Sequence, residues 1–192
     1  MTKSLVQLNS DCWQQLAKAS QSPSSHYRYP SLSTVGLDGS AQSRIVVLRH
    51  VTPARRELVF YTDINSKKWP ELRKNPRTSV LAYDATDRTQ LRMNGRVALL
   101  GPEADLTRQY WRALPEHARR DYTGGPLGEL DEADKTDPAV AKGDRGSNAF
   151  GVLLVTVNDL DWLKLAKEGN PQAKFTYGAS GNVASAIWVK SA

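Results

Sequence analysis

Short runs of β-branched and apolar residues, broken by turn residues, fill the chain from Ser31 to Leu100 and leave little room for long helices. SLSTVGL leads into Asp38-Gly39 and then SRIVVLRHV, the pattern of a β-hairpin whose turn accepts positive φ. A turn at Thr52-Pro53 precedes RELVFYTD, and RTSVLAYDA and TQLRMNGRVALL follow, separated by a polar break at Asp84-Arg88. Five strands are expected before residue 101, and AFGVLLVTV, DWLKLA, AKFTYG and SAIWVK supply further strand-like segments. Strands joined by hairpins, with few helices, predict a mainly β fold with peripheral α. The sheet is expected to close into a small antiparallel barrel, because closure removes exposed edges.

The helical segments are few. Residues 8–20 place Leu8, Cys12, Trp13 and Leu16 on one helical face, with Asn9 or Ser10 as N-cap. NSKKWPELRKNP reads as a helix with Ser66 as possible N-cap and Asn75-Pro76 as its stop, while Pro70 argues that regular helix begins only there. GPEADLTRQYWRALPEHARRDY reads as another, with Leu106, Tyr110 or Trp111 and Leu114 at helical spacing until Pro115. Residues 123–147, rich in Gly, Asp, Glu and Lys, are expected to form an exposed, partly mobile loop. No repeat or second domain appears, so 1–192 is expected to be one domain, with 1–30 as N-terminal helix and loop.

A chain of 192 residues can bury a sizeable core without disulfides or a structural metal. The lone Cys12 has no partner, and His26, His50 and His117 lack metal-ligand spacing, so no metal site is expected. The net charge of +6 suits a nucleic acid, a membrane surface or a small phosphorylated ligand. Basic residues are spread and interleaved with acids, as near Glu129-Leu130-Asp131-Glu132, which argues against nucleic acid. No apolar run has membrane-spanning length and MTKSLVQLNSD lacks a secretory core segment, so a cytoplasmic location without membrane contact is expected.

Three segments carry candidate chemistry. In Ser43-Arg44-Ile45-Val46-Val47-Leu48-Arg49 two arginines bracket an apolar core, and on an unbroken strand they face opposite sides. Tyr61-Thr62-Asp63-Ile64-Asn65-Ser66-Lys67-Lys68 sets hydroxyls and two lysines before a helix, the donors a phosphate monoester requires. Gln90, Arg92, Asn94 and Arg96 form the polar face of an alternating strand, and an amide such as Gln90 can both donate to and accept from a heterocycle. Each segment also reads as an ordinary strand or helix end with solvated charges. No dinucleotide or triphosphate fingerprint, nucleophile elbow or catalytic triad is present, as expected where a bound cofactor carries the chemistry.

Taken in order, LSTVGLDGSAQSRIVVLR, LVFYTDINSKKWPELRKNPRTSVLAYD and TQLRMNGRVALL resemble the pyridoxamine 5'-phosphate oxidase-like family of FMN-binding split barrels, closely over residues 31–100. The resemblance implies a six-stranded antiparallel split β-barrel and a homodimer with FMN at the subunit interface. It implies that Arg44, Lys67 and Lys68 hold the FMN phosphate, that Val46, Val47 and Leu48 line the flavin, and that Tyr61, Thr62 and Ser66 add hydrogen bonds. Gln90 is expected to reach the flavin from the partner subunit, and Arg49, counted with the cofactor-binding residues, also stands where the oxidases have a substrate-contacting lysine.

The C-terminal half departs from the family pattern. Tyr110 matches a substrate-gripping tyrosine, but the companion arginine is Leu114. The closing Arg-Leu-His-Asp-Arg-Phe stretch reads Asn170-Pro171-Gln172-Ala173-Lys174-Phe175, so that Lys174 alone keeps a charge near the flavin. A neutral site holds a substrate phosphate poorly. The expectation is an FMN-dependent oxidoreductase acting on an unidentified small molecule, with Arg49 and Tyr110 at the substrate and no catalytic residue assigned. The alternatives are a true pyridoxamine/pyridoxine 5'-phosphate oxidase and a non-catalytic flavin- or nucleic-acid-binding module.

Overall fold

The structure, a computed structural model, describes residues 3–122, 145–167 and 169–189. In chain order it contains helix α1 (Leu5–Ala19), strands β1 (Ser31–Val35), β2 (Ala41–Ile45), β3 (Leu48–Thr52) and β4 (Glu57–Asp63), and helix α2 (Lys68–Lys74). Strands β5 (Arg77–Asp84) and β6 (Thr89–Leu100), helices α3 (Asp105–Ala113) and α4 (Glu116–Arg119), and strands β7 (Phe150–Lys164), β8 (Gln172–Tyr177) and β9 (Val183–Val189) follow.

The fold is mainly β, as expected, and each strand pair is antiparallel. Six of the nine described strands form the run β1-β5-β6-β7-β4-β3, β2 extends the β1 edge, and the β8–β9 hairpin lies on β7. The sheet, expected to close on itself, stays open among the described residues, in keeping with a split barrel. AFGVLLVTV and DWLKLA, expected as separate segments, fuse into the 15-residue β7. Asn158 interrupts the apolar pattern without ending the strand. It sits at a register shift, where Asn94 faces Asp159 but Gly95 faces Val157. Gly95 is required there, since a Cβ at that position would lie 2.2 Å from the Thr156 carbonyl oxygen.

Inward-facing Leu32, Leu58, Phe60, Val80, Leu91, Met93, Val155, Leu160 and Phe175 form the main core, which α1 covers with Leu8, Cys12, Trp13 and Leu16. Burial accounts for one correction. Asn9 is only 5 % exposed and accepts a 2.7 Å hydrogen bond from the Tyr177 hydroxyl, which in turn accepts one from Trp13 Nε1 at 2.9 Å. The cap is instead Ser4, whose hydroxyl accepts from the Gln7 N–H, and the helix begins at Leu5. A second apolar cluster lies under α3, built from Val59, Trp111, Leu114, Tyr122, Phe150 and Val152. Of the expected loop at 123–147, residues 123–144 lie outside the described residues, and Arg145–Asn148 form a short turn into β7. Among the described residues no helix is long and apolar enough to cross a membrane.

Gly95→Ala forces a methyl group against the β7 backbone at Thr156 and Val157. It is expected to lower stability by about 1–3 kcal/mol, read as a lower urea midpoint at unchanged slope.

Candidate functional site

The segment SRIVVLR is not one strand. β2 ends at Ile45 and β3 begins at Leu48, because β1 reaches no further than Ser31 and the Val46 N–H is taken by the Pro30 carbonyl at 3.0 Å. β3 then pairs with β4, with a register shift between Leu48 and His50 that sets Arg49 in a bulge. Arg44 and Arg49 do enter different surroundings. The cause is a broken, bulged chain and not the alternation of an unbroken strand.

Arg44 lies beside α2. Its Nη1 donates to Thr34 Oγ1 at 2.5 Å and to the Leu32 carbonyl, and its Nη2 donates to Glu71 Oε2 at 2.9 Å. Glu71, 5 % exposed, also accepts from the Thr34 hydroxyl at 2.6 Å. Lys68 stands three residues before Glu71 on the same helix, and its Nζ donates to Thr62 Oγ1 at 2.9 Å and Ser66 Oγ at 2.8 Å. Burial, and after it the nearby Arg44 charge, pulls the Lys68 pKa below the usual lysine range. Ser66 does not cap α2, as its hydroxyl donates to the Asp63 carbonyl, and helix begins at Lys68, placing Pro70 in the first turn. Lys67 is exposed, so the two adjacent lysines are not equivalent. Two cations and three hydroxyls thus gather at one place, a donor set able to hold an oxyanion.

Val46 and Leu48 are buried and Val47 partly so. The Leu48 carbonyl accepts from Arg28 Nη1 at 2.7 Å, and that nitrogen also reaches the Ser20 carbonyl. Arg28 therefore ties the N-terminal loop to the β2–β3 break.

Arg49 and His50 face the cluster under α3. The Arg49 guanidinium lies 5.3 Å from the Tyr61 ring centroid, and its buried Nε has no hydrogen-bond partner among the described residues. His50 Nε2 and the Tyr61 hydroxyl share a 2.7 Å hydrogen bond, and the His50 ring stacks on Tyr110 at 4.6 Å and 12°. Tyr110 is 5.3 Å from Tyr61. Arg49 and Tyr110, the expected substrate residues, thus meet around Tyr61 with His50 between them. Burial pushes the Tyr61 hydroxyl pKa up and that of His50 down, the charges of Arg28 and Arg49 adding to the His50 shift.

Gln90 and Lys174 lie elsewhere. Arg44 is in register with Leu32, Leu32 with Val80 and Val80 with Met93, so Arg44 shares the core-facing side, whereas Gln90 and Arg92 alternate to the outer side. Lys174 faces Asp161, which faces Arg92, and is therefore also on the outer side. Arg92 pairs with Asp161 at 2.5 Å, Asn94 donates to Asp159 at 2.8 Å, and neither Gln90 nor Lys174 has a side-chain partner among the described residues. Within one chain these two residues do not join the Arg44–Lys68 cluster.

The family described as pyridoxamine 5'-phosphate oxidase matches residues 25–158 of this sequence, more than half of the chain. The chain belongs to that family. Among curated family members it is 37% identical over 89 residues to a putative pyridoxamine 5'-phosphate oxidase of Caenorhabditis elegans, covering 46% of this chain and 38% of that protein. It is 33% identical over 91 residues to pyridoxine/pyridoxamine 5'-phosphate oxidase 2 of Arabidopsis thaliana, covering 46% of each. The matched region thus spans less than half the length of these relatives. A pyridoxamine 5'-phosphate oxidase-related, FMN-binding protein of Nostoc punctiforme shares the fold with a TM-score of 0.78 at 19% identity, over 100% of both chains. PhzG of Burkholderia lata, solved with tetrahydrophenazine-1-carboxylic acid, shares it with a TM-score of 0.73 at 16% identity, over 99% of this chain and 94% of that one.

Sequence reasoning passed over Arg28, Thr34, Glu71 and His50. Only Glu71 carried a signal, an acid three residues after Lys68 and so on the same side of a short helix.

Because the folded pKa of His50 lies below its unfolded value of about 6.5, the folded state binds fewer protons. The His50 contribution to stability is complete above about pH 6.5 and is lost as pH falls toward the folded pKa. Denaturation midpoints measured between pH 7.5 and 5 should fall less steeply in His50→Gln than in the unsubstituted protein.

Proposed function

We propose that the chain binds FMN, with the phosphate between Arg44 and Lys68, and works as a homodimeric FMN-dependent oxidoreductase on a small molecule. The observation that carries the reading is that Arg44 is tied through Glu71 to α2, whose first residue, Lys68, reaches the Thr62 and Ser66 hydroxyls. The residues fit a phosphate dianion on their chemistry: a guanidinium fork, a desolvated ammonium whose pKa an anion would restore, and hydroxyls to complete the shell. Lys67, exposed one residue earlier, adds long-range attraction. Val46, Val47 and Leu48 would line the ring where β2 breaks from β3, with Tyr61 and Arg49 beyond them. The Nostoc punctiforme neighbour, described as FMN-binding, supports the same cofactor.

Two things favour the dimer. Gln90 and Lys174 lie on the sheet side opposite to Arg44, so a flavin beside Arg44 could meet them only on a second subunit. That outer side also exposes Ile45, Leu81 and Tyr83 at 67%, 39% and 42%, large apolar groups that a partner would cover.

When bound, the flavin ring would supply the hydride chemistry. The chain would position it and shape the substrate region, where Arg49, His50 and Tyr110 surround Tyr61. Against pyridoxamine 5'-phosphate as substrate, Leu114 is 7% exposed in the cluster under α3, and Asn170 Oδ1 is engaged by the Ala166 N–H at 3.0 Å. Leu114 has no donor and the Asn170 amide no charge, so neither offers a phosphate a charge-assisted contact.

Purified protein should be yellow and release FMN on denaturation, identified by mass. Protein that stays colourless and takes up no added FMN overturns the reading. Lys68→Ala should weaken FMN binding by about ten- to a hundredfold, the worth of a charge-assisted hydrogen bond, and Lys67→Ala by less than about threefold. Since the Lys68 pKa is lowered, its charge is lost at lower pH than an ordinary lysine's. In a pH titration, FMN affinity should therefore decline on the alkaline side before 10.5, the usual lysine value, and Lys68→Ala should remove that limb.

A further inference from the structure

We propose that Glu71 is a positioning residue for the cofactor phosphate, acting through Arg44; the inference rests on the FMN reading above.

Glu71 is a buried carboxylate with two partners, the Thr34 hydroxyl at 2.6 Å and Arg44 Nη2 at 2.9 Å, both on its Oε2. Thr34 also accepts from Arg44 Nη1 at 2.5 Å, so the three side chains close a ring joining β1, β2 and α2. A long, flexible arginine is held at both terminal nitrogens before any ligand arrives, and the rotamer entropy that a phosphate would otherwise have to remove is already gone. Glu71 also shares α2 with Lys68, one helical turn away, so the contact that orients the guanidinium sets its spacing from the ammonium.

A carboxylate beside a dianion site is at first sight misplaced, since it repels the phosphate. Arg44 and Lys68 also repel each other, and the Glu71 charge offsets this, raising the Lys68 pKa where Arg44 lowers it. The two roles of Glu71 act in opposite directions on FMN. Its geometry helps the phosphate and its charge opposes it. Glu71→Gln keeps an acceptor oxygen and removes the charge, and Glu71→Ala removes both.

Riboflavin, the same ring without the phosphate, separates a phosphate effect from a general loss of structure. By fluorescence titration, Glu71→Ala should weaken FMN by about tenfold, the worth of a hydrogen bond to a charged group, with riboflavin changed less than about twofold. Glu71→Gln should stay within about threefold of the unsubstituted protein for FMN, because the orienting acceptor remains. Arg44→Ala combined with Glu71→Ala should bind FMN no more weakly than Arg44→Ala alone, since Glu71 has nothing left to orient. If Glu71→Ala does not fold, Thr34→Val opens the same ring at constant shape and should weaken FMN by about threefold with riboflavin unchanged. Unchanged FMN affinity in Glu71→Ala, equal losses of FMN and riboflavin, or additive effects in the double variant overturn the inference. Unsubstituted protein that takes up neither ligand overturns the flavin reading beneath it.

Discussion

Buried backbone must find hydrogen-bond partners along its whole length, and in this fold β7 has fifteen residues to satisfy on two edges. One edge runs along β6 from Val152 to Lys164. The other serves β4 as far as Thr156 and β8 from Asp159, which leaves a gap that neither strand fills. Arg56 closes it. Held at φ 58, it turns its carbonyl to accept the Val157 N–H at 2.9 Å, while its guanidinium lies 5.1 Å from the Trp13 ring and 4.8 Å from that of Tyr177 and donates through Nε to the Gly181 carbonyl. A single residue thus joins the two strands that share an edge of β7 and seats α1 over the junction.

With β7 fixed, β4 is fixed beside it, and strand alternation divides the site. Thr62 turns toward the core side and meets Lys68, whereas Tyr61 turns outward and meets His50, Arg49 and Tyr110. Two adjacent residues therefore serve two compartments, one rich in cations and hydroxyls, the other aromatic, with Arg49 against Tyr61. The break between β2 and β3 does the same at the neighbouring edge, sending Arg44 to the first compartment and Arg49 to the second.

Alternation and turn chemistry are local, and what they govern was legible in the sequence. The Asp38-Gly39 hairpin, the stop at Asn75, the antiparallel character and the grouping of Thr62, Ser66 and Lys68 all follow from residues within a few positions of one another. What could not be read depends on distant partners. The Ser43–Arg49 strand breaks because β1 runs out of length, Asn9 is drawn into the interior by Tyr177, and the acid that holds Arg44 comes from a helix 27 residues away. Lys67 and Lys68 are adjacent in sequence, and only the packing of α2 decides which one turns inward.

That packing leads back to β7. A seven-residue helix is too short to persist by itself, so α2 must be held by what it buries, namely Trp69 and Leu72 at 7% and 1% exposure. Trp69 has room because position 151 of β7 is glycine: a Cβ there would lie 2.7 Å from the indole and 2.6 Å from Ile64. Lys68 directly precedes Trp69 and Glu71 follows it by two residues on the same short helix, so the seat of this indole sets where the ammonium and the carboxylate emerge. The Arg44–Glu71–Lys68 geometry is in this way a property of the start of β7, which Gly151 leaves open to the indole and Asp63–Phe150 pairing keeps in register with Thr62.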